Sequence, residues 1–574
     1  MYPSSLTLGT VGFILLITLP WLYFRLLPKP IPGIPYNASS AKKLLGDIPD
    51  AIKFRRRTGE LWSFIRSRCL ELNSPIFQLF MTGPGGKPWV ILTDFRESHD
   101  IQTHRQGEFD RSSFLGEVFG PLIPGNHVWM PSDERFYANR NLIRDTMSPA
   151  FLHDVVVPIL HSKTRDLLDL WAEKTRLSQE QPFQVDQDII RSVVDMILLA
   201  SLGTRTDLSK IQTDVLRTLS QPKPPIDLDT PIIFPKAKES KLYSAVRTLV
   251  DSIAIGMSSP MPRLHMTFAL RFYPSLARAR RYTNTLMSGV LERAWSNFYD
   301  INNSYDMQNI VSAADLIVRR EAHLAQKQNR AVIRDYPAIR DELMGFYIAG
   351  HETTSSTICW AVKYLTQNQK VQYKLRSALQ SAFQSAYEQK RLPTADEIVK
   401  SNIPYLDAFI EENHRLGNAI PATIRRTTRD TIILGHKIPK ETDVFMMSNG
   451  PGYQLAALPV NERQRSLTSQ HSRERYGIWN PDDVTLFEPE RFLKTDQEGK
   501  TKFDPYSGPV LPYGAGLRGC FGIRLGMLEL KVIITMIVWT FELQQVPIEL
   551  SSFKAHDLNT HRPDQMYLRL RTLN

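Results

Sequence analysis

The sequence predicts a mainly α domain with small sheets, carried behind one N-terminal transmembrane helix. Three observations predict it. Apolar residues recur at three- and four-residue spacing over Ile339 to Thr366, Tyr405 to Leu416 and Phe521 to Leu543, the period of an amphipathic helix. Strand-like pieces are few and short: Ile76 to Met81, Trp89 to Thr93, Thr431 to Leu434 and Met566 to Leu570. From Leu6 to Phe24 the chain reads LTLGTVGFILLITLPWLYF without a charge, close to the roughly 20 residues a helix needs to span a bilayer.

Taken in order, residues 1 to 27 are expected to be the anchor. Arg25 and Lys29 follow the apolar stretch and no basic residue precedes it, so the predicted orientation leaves the remainder of the chain cytosolic. A cleaved signal peptide would need a basic start, a shorter apolar core and an Ala-x-Ala-like site, none of which is evident. Residues 28 to 36 hold Pro28, Pro30, Pro32 and Pro35, which fix φ and remove amide donors, so this segment is expected to be a stiff extended spacer. Residues 37 to 574 show no internal repeat and no second linker and read as one domain. Two irregular stretches interrupt it, Ser220 to Pro235 and the polar run Asn449 to Trp479.

The 574 residues are 42% hydrophobic and 22% charged, within the globular range. A mean hydropathy of -0.26 excludes a polytopic membrane protein. The formal charge of +11 suits an anionic membrane face or an acidic protein partner. No nucleic-acid partner is expected, since no Lys/Arg run with interleaved aromatics and no zinc-finger spacing occurs. Cysteines stand only at 69, 359 and 520, without a CxxC pair, which excludes a disulfide framework or a thiolate zinc site. Cys69 and Cys359 read as small buried hydrophobes.

Cys520 differs. In Leu511 to Gly522, LPYGAGLRGCFG, four glycines crowd one cysteine, so the backbone turns tightly there and something bulky comes close to it. A long apolar helix begins directly afterward, and free amides with the positive end of the helix dipole stabilise a thiolate at such a place. Arg518, two residues earlier, supplies a cation that can pair with a carboxylate of the same ligand.

This segment resembles the heme-binding loop of the cytochromes P-450, Phe-x-x-Gly-x-x-x-Cys-x-Gly, with Tyr513, Gly514, Gly516, Cys520 and Gly522 in its places. Tyr513 stands where the family usually has Phe, a departure that adds a hydroxyl near the sulfur. A second motif, Ala349-Gly350-His351-Glu352-Thr353-Thr354, lies inside a predicted helix although Gly costs up to about 1 kcal/mol there. It resembles the family's Ala/Gly-Gly-x-Asp/Glu-Thr-Thr/Ser, where the helix bulges over the heme. A zinc-protease reading of His351-Glu352 fails because the second His of HExxH would fall on Ser355. A third, Glu412-Asn413-His414-Arg415, is followed by Pro489-Glu490-Arg491-Phe492; alone, Glu and Arg three apart usually form a solvated ion pair. Weaker matches are Phe136 and Arg140, in the places of Trp-x-x-x-Arg, and Arg425, with Arg426 open as its alternative.

The resemblance implies the mainly α cytochrome P-450 fold with a small β-rich lobe. It implies heme b with Cys520 as the axial metal ligand, Arg518, Arg140 and Arg425 on its propionates, Thr353 and Glu352 in oxygen activation and proton delivery, and Glu412, Arg415 and Arg491 in a structural role. The activity implied is a monooxygenase that takes electrons from NADPH through a separate NADPH-cytochrome P-450 reductase, uses dioxygen, and oxidises a lipophilic small molecule in secondary metabolism at the endoplasmic reticulum membrane. A P-450-fold isomerase or dehydratase that needs no reductase, and a non-catalytic heme-binding sensor, are the rival readings; the presence of both Glu352 and Thr353 argues against them. Substrate contacts are expected around Ser112 to His127, Leu208 to Pro235 and Ser312. The run from Asn449 to Trp479 is longer than the family usually has and looks like an insertion.

Overall fold

The computed structural model describes residues 16, 18–220, 227–259, 261–300, 310–334, 337–557 and 559–573. Most of the expected anchor lies outside them. Within the described part, residues 18–26 are helical, and Leu19, Trp21 and Phe24 are exposed. No helix among the described residues is long and apolar enough to cross a membrane.

The chain forms two compact units, residues 1–110 with 422–475, and residues 111–421 with 476–574. The first is built on a mixed sheet. Strands β1 (Ile76–Leu79) and β2 (Trp89–Leu92) pair antiparallel with Ile76 opposite Leu92. Helix α1 (Phe95–Thr103) follows, capped by the Asp94 side chain on the Glu97 amide, and then the short β3 (Phe109–Arg111). From the later part of the chain come β4 (Ala422–Thr427) and β5 (Asp443–Met447), giving the order β1-β2-β5-β4-β3 with β2 parallel to β5. Val90, Leu92, Val444 and Met446 are buried in its core, and Trp89 stacks on Phe445 at 4.1 Å.

Within the polar run Asn449 to Trp479, Tyr453 and Trp479 are buried, and the stretch between them is tied down chiefly by charge. Arg465 pairs with Asp94, and Arg96 of α1 makes two bonds of 3.0 and 3.1 Å to Glu462. Ser466 Oγ adds a bond of 2.6 Å to Asp100. Residues up to 475 thereby wrap the start of α1 within the first unit.

The second unit is helical. Elements used below are α2 (Glu134–Ile143), α3 (Val157–Ser178), α4 (Asp186–Leu202), α5 (Lys241–Asp251), α6 (Pro262–Phe272), α7 (Pro274–Asp300), α8 (Pro337–Gln367), α9 (Pro404–Leu416) and α10 (Ile523–Thr540). The expected helix from Phe521 to Leu543 is cut at its end, where Phe541–Gln544 leaves as β6 and pairs with β9 (Tyr567–Thr572). Between them Ala555–Asp557 and His561–Pro563 form the hairpin β7–β8. Helix α8, about 46 Å long at 1.5 Å per residue, packs against α4, α9 and α10. At the α4 crossing a Cβ on Gly350 would stand 2.9 Å from Ile197 Cδ1, so a larger residue there would displace that methyl.

Candidate functional site

Two glycines shape the cysteine loop. Gly514 and Gly516 have φ of +61° and +67°, a region other residues enter at a cost. The turn they make lets the Cys520 amide donate to the Tyr513 carbonyl at 2.8 Å, and Gly522 then begins α10. Cys520 is exposed, whereas Cys69 and Cys359 are buried. Burial pushes the Cys359 thiol up to about 12, which keeps it protonated. Packing also raises Cys520, but the Gly522 amide and the Arg140 guanidinium oppose that shift.

Two arginines converge beside this loop. The Arg518 guanidinium lies 3.7 Å over the Phe136 ring, and its Nε donates to Ser132 Oγ at 3.0 Å. Arg140 lies 4.7 Å from the Phe521 ring centre and 5.9 Å from that of Phe136. Burial lowers the Arg140 pKa, and Cys520 and Glu342 pull it back up. The structure thus gathers Cys520, Arg518 and Arg140. Arg425 lies in the first unit, buried in β4, with Nη1 donating to its neighbour's carbonyl at 3.0 Å. Arg426 holds Asp443 through bonds of 2.9 and 2.6 Å.

On α8, Ala349 is exposed in a helix whose next turns are almost wholly buried. Thr353 Oγ1 donates to the Ala349 carbonyl at 2.7 Å, and the segment is α-helical throughout, without the opening that the resemblance implies. Glu352 faces His351 at 3.5 Å and accepts from Thr560 at 3.4 Å. Thr354 points elsewhere, to the buried Glu529 of α10 at 2.7 Å.

Glu412 and Arg415 are not the solvated pair their spacing suggests. Both side chains are fully buried and joined by two bonds of 2.7 Å. Arg491 reaches the same carboxylate at 3.1 Å, and Arg415 also donates to the carbonyls of Val484 and Leu486. Burial is explained by this count of donors, since a buried ion pair survives only when its remaining lone pairs are met.

Sequence reasoning passed over Glu342. This buried carboxylate on α8 accepts from the His127 amide and Nδ1, both at 2.7 Å, from Asn139 at 2.7 Å and from Asn126 at 3.1 Å. A lone Glu and scattered amides carry no signal in sequence. The network ties the segment before α2, and Asn139 beside Arg140, to α8.

The donor set fits a heme. Among the described residues no three His, Cys, Asp or Glu side chains converge as a bare ion requires, so iron at Cys520 would have to bring its other ligands in a macrocycle. Arg140 and Arg518 offer the cations that a macrocycle's carboxylates need, and small residues line the exposed part of α8.

Comparison with known proteins bears on the same residues. The family model described as Cytochrome P450 matches residues 52–454 and 479–566. The unmatched 455–478 falls in the run that reads as an insertion. The chain is 43% identical to the cytochrome P450 monooxygenase GME11363 of Pestalotiopsis microspora over 99% of this chain and 98% of that one. It is 35% identical to the cytochrome P450 monooxygenase TRI13 of Fusarium sporotrichioides over 97% and 98%. A crystal structure of the cytochrome P450DA heme domain superposes with a TM-score of 0.66 at 16% identity, covering 96% of this chain and 99% of that one, which shows the mainly α fold.

Proposed function

The chain belongs to the cytochrome P450 family and is a heme-thiolate monooxygenase for a lipophilic substrate, and on that premise we propose how its residues divide the work. Heme b, when bound, supplies reductive activation of dioxygen and insertion of one oxygen atom into the substrate. Cys520 would hold its iron through the thiolate. The observation that carries this is its placement: the exposed cysteine of the described chain, in a loop bent by two left-handed glycines, at a helix start and within reach of the Arg140 charge. Arg518 and Arg140 would hold the heme carboxylates. Arg425 is the third candidate by the family resemblance, with Arg426 as its alternative.

On α8, Thr353 and Glu352 serve oxygen activation, Glu352 handing protons inward and Thr353 ordering their arrival. His351, Arg562 and Thr560 hold the Glu352 carboxyl below the usual carboxylate range against the opposing effect of burial, so it is ionised and ready to accept a proton from outside. Glu412, Arg415 and Arg491 hold α9 to the segment 483–491 and have no contact with the chemistry.

Electrons come from NADPH through a separate membrane-bound reductase, and the net positive charge suits its docking. We place the chain at the endoplasmic reticulum membrane of a fungal cell, in secondary metabolism, anchored by residues 6 to 24. A second membrane contact is supported by α6, whose Leu264, Phe268 and Phe272 are 67%, 53% and 58% exposed beside Arg263 and Arg271.

The carbon monoxide difference spectrum of the reduced full-length protein tests the core of this reading. A red-shifted thiolate band is expected, lost in Cys520→Ser and kept in Cys359→Ser. A Cys520→Ser protein that retained the band would overturn the ligand.

A further inference from the structure

Where Glu352 obtains its protons is answered by how His351 is wired. Its Nδ1 lies 3.0 Å from the Tyr347 carbonyl oxygen, which only accepts, so Nδ1 carries a hydrogen. Its Nε2 lies 3.5 Å from Glu352 Oε1. A bare Nε2 facing an ionised carboxylate would set two lone pairs against each other in a water-poor place. The contact is favourable with one hydrogen between them, held by the imidazolium or by the carboxylic acid. His351 is 3% exposed and its ring stacks on Tyr347 at 4.6 Å, so it is fixed in this pose.

The other carboxylate oxygen is held from a different element. Thr560, on the turn between β7 and β8, donates to Glu352 Oε2 at 3.4 Å and lies 2.7 Å from Ser356 Oγ. Its neighbour Asn559 donates to the Val250 carbonyl at the end of α5. Arg562 of β8 and Asp251 of α5 are the charged side chains that act on Glu352 from outside its own helix. Arg247, also on α5, acts on Asp251, and Tyr347 completes the group on α8.

We propose that His351 is the proton partner of Glu352, the two sharing one hydrogen between Nε2 and Oε1 while Thr560 fixes Oε2. This rests on the reading of Glu352 as the proton donor. In the step, the proton leaves Nε2 and joins Oε1; the imidazolium becomes neutral, the carboxylate becomes an acid, and no electron changes hands. Beyond the pair stands the exposed Asp251 of α5, whose carboxylate acts on both Glu352 and His351. His351 acts through Glu352 and is therefore a positioning residue.

The test uses the full-length holoprotein as wild type, His351→Gln, His351→Phe and Glu352→Gln. Gln keeps a donor near the Nε2 position that cannot be given up; Phe keeps the ring and loses the donor. The infrared carboxylic-acid band removed by Glu352→Gln is followed across pH. Loss of the imidazolium is expected to move its titration upward by about one unit or more in both His351 variants, and an unmoved titration overturns the proposal. A second readout is the share of NADPH recovered as hydrogen peroxide with reductase and no added substrate, expected to rise at least twofold in His351→Gln. If Glu352→Gln raises that share and the His351 variants do not, the pairing falls and Glu352 keeps its role. If Glu352→Gln leaves the share at the wild-type value, the reading of Glu352 falls first. Should both His351 variants lose the carbon monoxide band, Thr560→Val reads the same carboxylate from Oε2. An upward shift there supports the arrangement, and none overturns it.

Discussion

The Tyr513 hydroxyl lies 3.2 Å from His414 Nε2, with the two rings 79° apart at 5.1 Å. This joins the cysteine loop to α9 one residue before Arg415. The hydroxyl that Tyr513 adds over the family's Phe is thus spent on His414, with Met527 Sδ 3.7 Å away, rather than on the Cys520 sulfur. His414 is 4% exposed, so Tyr513→Phe strands a buried ring nitrogen. A loss of about 1–2 kcal/mol is expected, read as a lower Tm of the holoprotein, with the carbon monoxide band unmoved. A shifted band would mean that the hydroxyl acts on the thiolate.

Glu412 carries two guanidiniums in a fully buried place, and its Oε1 also accepts from the Glu488 amide at 2.8 Å. Glu412→Gln leaves the arginines without their carboxylate and is expected to cost about 3–5 kcal/mol. Arg415→Lys is also expected to fail, because one ammonium cannot reach two carboxylate oxygens and two carbonyls at once. Yield of heme-loaded protein and urea midpoints check both. A Glu412→Gln protein of wild-type stability would remove this cluster from its structural role.

What the sequence made legible follows from how local each signal is. The three long helices show because their apolar spacing persists over several turns, and the Cys520 loop shows because glycines mark its turns in place. The end of the third helix was misplaced at Leu543, since Phe541 to Gln544 is apolar enough for either state and pairing with β9 decides it. Burial of Glu412 and Arg415 could not be read from a three-residue spacing, because the carbonyls that satisfy Arg415 lie about 70 residues on. Glu342 was invisible for the same reason: its donors at 126, 127 and 139 stand roughly 200 residues away. The salt bridges of Arg465 and Glu462 to Asp94 and Arg96 likewise bind segments some 370 residues apart.

Glu529 gives a pH-dependent prediction. It is buried, its Oε2 accepts from Thr354, and burial raises its pKa to about 8. Because the folded pKa lies above the unfolded one, near 4.3, the folded state binds the proton more tightly. Its contribution to stability is therefore complete below about pH 4 and is lost as pH rises toward 8. Glu529→Gln keeps an acceptor for Thr354 and cannot ionise. The variant is expected to be more stable than wild type at pH 8, with the difference shrinking toward pH 5. Urea unfolding at the two pH values checks this, and a difference independent of pH would show that Glu529 is not protonated in the folded state.

Thr353 and Thr354 are adjacent, yet the structure assigns their hydroxyls to different neighbours. The next residue on a helix is turned by about 100°, which leaves Thr353 beside the exposed Ala349 and sends Thr354 into the core against Glu529. Thr353→Ala removes one back-bond to α8 and is expected to change stability by less than about 1 kcal/mol. Its effect should fall on coupling, with less product and more hydrogen peroxide per NADPH at unchanged heme reduction. Thr354→Ala removes the donor that meets a buried carboxyl and is expected to cost about 1–3 kcal/mol while sparing the coupling of the protein that remains folded. Measured side by side with reductase, the two variants should separate completely. Equal uncoupling in both would mean that the reaction feels the helix as a whole and that the Thr353 hydroxyl has no role of its own.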